Sequence, residues 1–346
     1  MNVIVTWMYS SPEGEKVFHA QVGNESDSVE TQNIYWRCIF LLFESSVRLN
    51  KETRHILFIN REPPRFIDGI DTRRLVEQYS IELVKFPSIT MSPPDFYPGW
   101  NTQFIILDVL DWLKENVSEK DSLFILDSDI IMNKPISQSI LDNLKRHRAL
   151  LYSIDYSHNH NINGLTRPEL YKVSLEIAKR MGVHFKGTDF VYSGGEFVCC
   201  MGNELHNIAE LARETYSVCL ERHNQGLKKF NEEAHLLSFV YNVLGYETHT
   251  ANAYIKRMWT DRSLCSNISG AESDLIFWHL PAEKKHGFKK AFRSYKDING
   301  EYVLTATNFS RLYRVEEGCV DKIVRVAKQI VRPIYHGIKN MTNCSA

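Results

Sequence analysis

The feature that most constrains this chain is the stretch at residues 121–133, DSLFILDSDIIMN. A polar start gives way to Leu123, Phe124, Ile125 and Leu126 without a break, and two carboxylates, Asp127 and Asp129, follow one residue apart. An apolar run this short, with no helical period, predicts a strand buried on both faces. Residues i and i+2 on a strand point to the same side, so carboxylates at the strand's end can face one point. In open α/β sheets, ligands bind outside the carboxyl ends of the strands. Two convergent carboxylates there suit a hard divalent cation whose other ligands are phosphate oxygens and water. The plainer alternative is that two Asp after a strand start a turn or cap a helix.

The rest of the chain supplies a setting for that strand. Residues 3–7, 55–59 and 81–86 are β-branched or apolar runs that predict strands. Helical spacing at residues 33–50, around 75–79 and at 100–116 lies between them. This alternation predicts an α/β fold with a mostly parallel central sheet flanked by helices. Further on, residues 149–154 read as a strand, and 135–145, 169–181, 205–221 and 231–244 as helices. The 346 residues are enough for one large domain or two small ones.

Charge and composition exclude some classes. A net charge of −1 gives no overall field for nucleic acid. The seven Cys form no C-x-x-C pair, which predicts reduced thiols and a cytoplasmic location. Adjacent Cys199 and Cys200 lie in an apolar run and read as packing residues. The first residues have neither a basic region nor a long apolar core, so no signal peptide is expected. No run reaches the roughly 18 apolar residues of a membrane span.

Three more stretches stand out. In FVYSGGEFVCCM, residues 190–201, two β-type runs flank Ser193, Gly194 and Gly195. Adjacent glycines permit positive φ, close approach of a ligand, or a simple bulge. Glu232 and Glu233 open a helix, where carboxylates favour the macrodipole whatever else they do. In FWHLPAEKKHGFKK, residues 277–290, His279 follows an apolar run much as the Asp pair does. His158 and His160 fall in a polar run that reads as a solvated loop. At residues 319–346, Ile323, Ala327, Ile330, Ile334 and Ile338 keep helical spacing with Lys and Arg between them. Such a basic amphipathic tail, kinked at Pro333, can lie on an anionic membrane face or dock on the domain.

LDSDI, a short apolar stretch and then Asn133-Lys134-Pro135 resemble the Asp-x-Asp motif of nucleotide-sugar glycosyltransferases with the GT-A fold. The chain is distantly similar to the glycogenin-like members. The resemblance implies Mn²⁺ or Mg²⁺ held by Asp127 and Asp129 against the donor diphosphate, with Asp129 the direct ligand and Asp127 also facing the donor. His279 would complete the metal shell, with His286 the alternative in a motif similar to H-x-x-G-x-x-K. Lys289 and Lys290 would meet the diphosphate. Thr6 and Tyr9, after the first strand, would meet the nucleoside of a UDP-sugar. Ser193, Gly194 and Gly195 would lie under the donor sugar, although Tyr192 stands where the family has Asn. Glu232 or Glu233 would serve as base or acceptor contact. Residues 1–318 then form the catalytic domain, with 1–154 the nucleotide half and 155–318 the acceptor half. The acceptor would be a hydroxyl of a glycan, such as a bacterial surface or lipid-linked one. Two rivals remain: a binding protein on a degenerate scaffold of this kind, and an Asp-x-Asp phosphatase. The phosphatase motif wants Thr or Val where this chain has Ile131, and it normally ends the first strand.

Overall fold

The computed structural model describes residues 1–19, 22–98, 101–261 and 266–316, so the expected basic tail lies outside the described residues. The N-terminal half contains β1 (Asn2–Met8), α1 (Val29–Leu49), β2 (Thr53–Ile59), α2 (Thr72–Gln78), β3 (Ile81–Lys85), α3 (Ile106–Asn116) and β4 (Ser122–Leu126). A short β5 (Ile130–Met132) follows, then α4 (Gln138–His147) and β6 (Ala149–Ile154). The later half adds α5 (Arg167–Met181), β7 (Tyr192–Met201), α6 (Leu205–Asn224), α7 (Glu233–Leu244), β8 (Ile255–Arg257), β9 (Phe277–His279) and α8 (Gly287–Phe292). A hairpin, β10 (Tyr295–Ile298) and β11 (Glu301–Leu304), closes this series.

The central sheet runs β3-β2-β1-β4-β7-β6, with β1 to β4 parallel and β7 antiparallel to both its neighbours. Its strands read as unbroken apolar runs because both faces are covered. Val3, Val5, Leu123 and Ile125 join the core on one face; Ile4, Phe124 and Leu126 join the core on the other. The nucleotide and acceptor halves expected from the sequence share this sheet, since β7 comes from the later half and sits between β4 and β6. Chain order reverses between β1 and β4, which makes their carboxyl ends the crevice where such sheets bind ligands.

Two sequence expectations shift. The third helix begins at Ile106 rather than residue 100. Gly194 and Gly195 do not have positive φ. They lie where β7 falls out of register with β6, the pairing passing from Leu151↔Val198 to Ser153↔Ser193.

A second, three-stranded sheet, β8-β9-β5, stands at the carboxyl end of β4. It pairs His279 with Ile130 on one side and with Arg257 on the other. Phe277, fully buried, locks it to the main sheet through Phe124 at 5.9 Å and Phe197 at 5.3 Å between ring centroids. Removing that ring leaves a cavity at the junction. Phe277→Ala should therefore lower the unfolding free energy by about 3–5 kcal/mol in chemical denaturation, and a loss under about 1 kcal/mol would contradict this docking.

Candidate metal centre and the cavities beside it

Asp127 and Asp129 lie just past β4, in a tight turn closed by the Ile130 amide donating to the Asp127 carbonyl at 3.2 Å. The turn, rather than strand alternation, makes the carboxylates converge. The second sheet then holds the turn from the other side, with the Leu280 amide donating to the Asp129 carbonyl at 3.0 Å. His279 thus comes beside both: its Nε2 is 3.3 Å from Asp129 Oδ2 and 3.7 Å from Asp127 Oδ2. Among the described residues, Asp127, Asp129 and His279 form the one group with the ligand atoms and spacing for a metal ion, all within 4.8 Å of one another.

The charges here are tightly balanced. Lys284 Nζ, also buried, lies 3.2 Å from Asp129 Oδ2. Burial alone would raise the Asp129 carboxyl; Lys284 and His279 outweigh it and hold Asp129 ionised well below the usual range. Asp127 moves the other way, up to about 6, through burial and the neighbouring Asp129 charge. Burial would lower His279, but Asp129 and Glu196 raise it to about 9. The Asp129 side chain is only 1% exposed, yet neither of its carboxylate oxygens accepts an aligned hydrogen bond. Oδ2 already faces Lys284 and His279, and the buried Oδ1 has no hydrogen bond, which leaves it for a cation.

Glu196 orients the imidazole. It stands on β7 directly after the two glycines, with Oε1 at 3.2 Å from His279 Nδ1. Arg257 grips the same carboxylate with two parallel bonds of 2.7 and 2.6 Å. Metal-binding His commonly uses its second ring nitrogen in this way. The glycines make room for carboxylates: a Cβ on Gly194 would stand 2.7 Å from Glu196 Cδ, and one on Gly195 2.7 Å from Glu233 Oε1.

Two cavities flank the group. The smaller, about 250 Å³, is lined by Thr6, Tyr9, Tyr35, Asp127, Asp129 and Lys284. The larger, about 460 Å³, includes Asp127, Tyr192, Gly195, Glu232, Glu233 and Arg257 in its wall. Glu232 is buried and accepts from the Tyr192 hydroxyl at 3.1 Å and from the Asn163 amide. Its carboxyl is pushed up to about 7, chiefly by burial. His235, 3.1 Å away, is kept neutral by burial, its pKa lowered to about 3, so the two do not form an ion pair. Glu233 is also raised, well above the usual carboxylate range, first by burial and then by Glu232.

The sequence expectations divide here. Thr6, Tyr9, Asp127, Asp129, Gly195, Glu232, Glu233 and His279 all line one or both cavities. Ser193 and Gly194 are buried in β7 and do not. Lys289, Lys290 and His286 line a separate cavity, so the basic residue beside the Asp pair is Lys284 instead. α8 carries the two lysines away because Phe288 and Phe292 turn its other side into the core. Lys284, Glu196 and Arg257 belong to the site without being among the residues the sequence pattern marks. Glu196 had a signal, a carboxylate inside an otherwise buried strand; Arg257 had none. Replacing Glu196 by Gln should weaken Mn²⁺ binding about ten- to a hundredfold in calorimetry of a folded variant; unchanged affinity would rule out its role in orienting His279.

No family model and no characterised protein sequence matches the chain. Solved structures match the chain at low identity and with TM-scores under 0.5. The glycosyltransferase GlyE of Streptococcus pneumoniae TIGR4 is 11% identical, with a TM-score of 0.43 over 81% of this chain and 55% of that one. This chain thus spans about half of the GlyE chain. Mouse xyloside xylosyltransferase 1 is 7% identical, with a TM-score of 0.44 over 81% of this chain and 97% of that one. The galactosyltransferase LgtC, in complex with donor and acceptor sugar analogs, is 12% identical, with a TM-score of 0.43 over 80% of this chain and 86% of that one. These are likenesses of layout, and one layout hosts many activities.

Proposed function

We propose that the chain is a metal-dependent glycosyltransferase that moves a sugar from a nucleotide-diphosphate donor, with UDP as the nucleotide, to an acceptor hydroxyl. The observation that carries this reading is the Asp127–Asp129–His279 group at the reversal point of the sheet, with a cavity on each side. Two carboxylates and an imidazole suit Mn²⁺ better than Ca²⁺. When bound, the metal would offset the charge developing on the leaving diphosphate.

The protein's own groups take the remaining roles. Thr6 and Tyr9 would receive the nucleoside in the smaller cavity. Lys284 is held protonated because Asp129 outweighs the lowering effect of its burial. It would supply the fixed positive charge first expected of Lys289 and Lys290. On the acceptor side, Glu232 would take the proton of the attacking hydroxyl. A carboxyl that titrates near 7 is well matched to that task. Glu233, its carboxyl pushed well above the usual range by burial and by Glu232, would meet acceptor or donor sugar from the same wall.

The pH sense follows from Glu232. It is a base only when ionised, so turnover should fall as pH drops below about 7, and Glu232→Gln should abolish the turnover that shows this limb. An unfolded Glu232 ionises near 4.5 while the folded one keeps its proton to about 7, so this residue's contribution to stability declines as pH rises across that interval. Nucleotide release from a panel of nucleotide sugars, with and without Mn²⁺, reads both donor and pH limb. A pH-independent rate in the wild type would remove Glu232 as base. For the metal, Asp129→Ala should abolish Mn²⁺-dependent UDP binding in calorimetry without unfolding the chain. Unchanged affinity would overturn the proposed function.

A further inference from the structure

Away from the metal centre, Lys285, His286, Lys289, Lys290 and Arg293 line a cavity of about 510 Å³. It shares no lining residue with either cavity beside the Asp pair. In a chain of net charge −1, this is a local concentration of positive charge. α8 cannot relax it by moving away, since Phe288 packs on Tyr313 at 5.1 Å and Phe292 on Phe40 at 6.3 Å. Like charges held together this way repel one another and favour an anion between them.

The nearby carboxylates do not neutralise it. Glu30 is shared by Lys289 at 3.6 Å and Arg37 at 3.8 Å. Asp68 is shared by Arg37 at 2.8 Å and Arg293 at 3.0 Å. Arg37 lies beneath them, 3% exposed, and its Nη1 has no hydrogen bond. Among the described residues, Lys285 and Lys290 have no carboxylate partner. Four cations, Lys285, Lys289, Lys290 and Arg293, thus share the wall with one carboxylate, Glu30, while Asp68 is divided between Arg293 and the buried Arg37.

We propose that this cavity is a second anion site that takes a phosphate-bearing group with two or more negative oxygens. Lysines meet such a group as mobile point charges, and Arg293 can add a planar pair of donors. Among the described residues, Ile34 is the one aliphatic side chain in the wall and the others are polar or charged, which fits a hydrophilic polyanion. The group can come from a soluble phosphate ester or from the headgroup of an anionic lipid.

Calorimetry with inorganic pyrophosphate, in chelator so that no metal occupies the Asp pair, tests this on the full chain. Wild type and Asp129→Ala should bind alike. The triple variant Lys285→Gln, Lys289→Gln, Lys290→Gln should lose at least tenfold in affinity, and wild-type binding should weaken with salt. Co-sedimentation with phosphatidylglycerol vesicles separates the sources: fewer vesicle-bound triple-variant molecules than wild type assigns the site to a headgroup, and equal sedimentation assigns the pyrophosphate binding to a soluble ligand. If the triple variant matches wild type toward both probes, or Asp129→Ala removes pyrophosphate binding, the proposal is overturned.

Discussion

A carboxylate buried as deeply as Asp129 stays ionised only with cations at hand, and Asp129 has two, His279 at 3.3 Å and Lys284 at 3.2 Å. Everything near the site serves that arrangement. The turn after β4 presents the carboxylate, the second sheet brings His279 across, and the segment after β9 returns Lys284 to the same oxygen. Glu196 and Arg257 then fix the imidazole from behind. Removing either cation leaves Asp129 with only the other, so the buried carboxylate is held ionised less strongly.

Much of the fold is legible in the sequence, and the reason is burial on both faces. Runs such as VIVTW and SLFIL can be little else than central strands, because each successive side chain enters one of two cores. What the reading missed is non-local. The antiparallel entry of β7 between β4 and β6 follows from the later chain, and no local period announces it. The hairpin at Tyr295–Ile298 and Glu301–Leu304 did have a local signal, Asn299-Gly300, both at positive φ, and was passed over.

The site was legible where function and strand ends coincide. Asp127, Asp129 and His279 each follow an apolar run, so each could be placed at a strand's end before any contact was known. Lys284 was not legible against Lys289 and Lys290, because which of several basic residues faces the Asp pair depends on the turn between β9 and α8. Of the readings open for the glycines, the bulge fits the register break opposite Leu151 and Ser153. The glycines have no positive φ, and what they provide is space for the Glu196 and Glu233 carboxylates. Both carboxylates line the larger cavity, where Glu196 also touches His279 and Glu233 stands beside Glu232.

In the proposed function, one divalent cation is held jointly by His279, the Asp pair and a donor diphosphate. Pulsed electron paramagnetic resonance on Mn²⁺, with the protein and UDP both present, reads its immediate partners. The expected spectrum has a nitrogen coupling from one imidazole, lost in His279→Gln, together with phosphorus coupling from UDP on the same ion. Bound Mn²⁺ with phosphorus coupling but no nitrogen coupling that depends on His279 would contradict it.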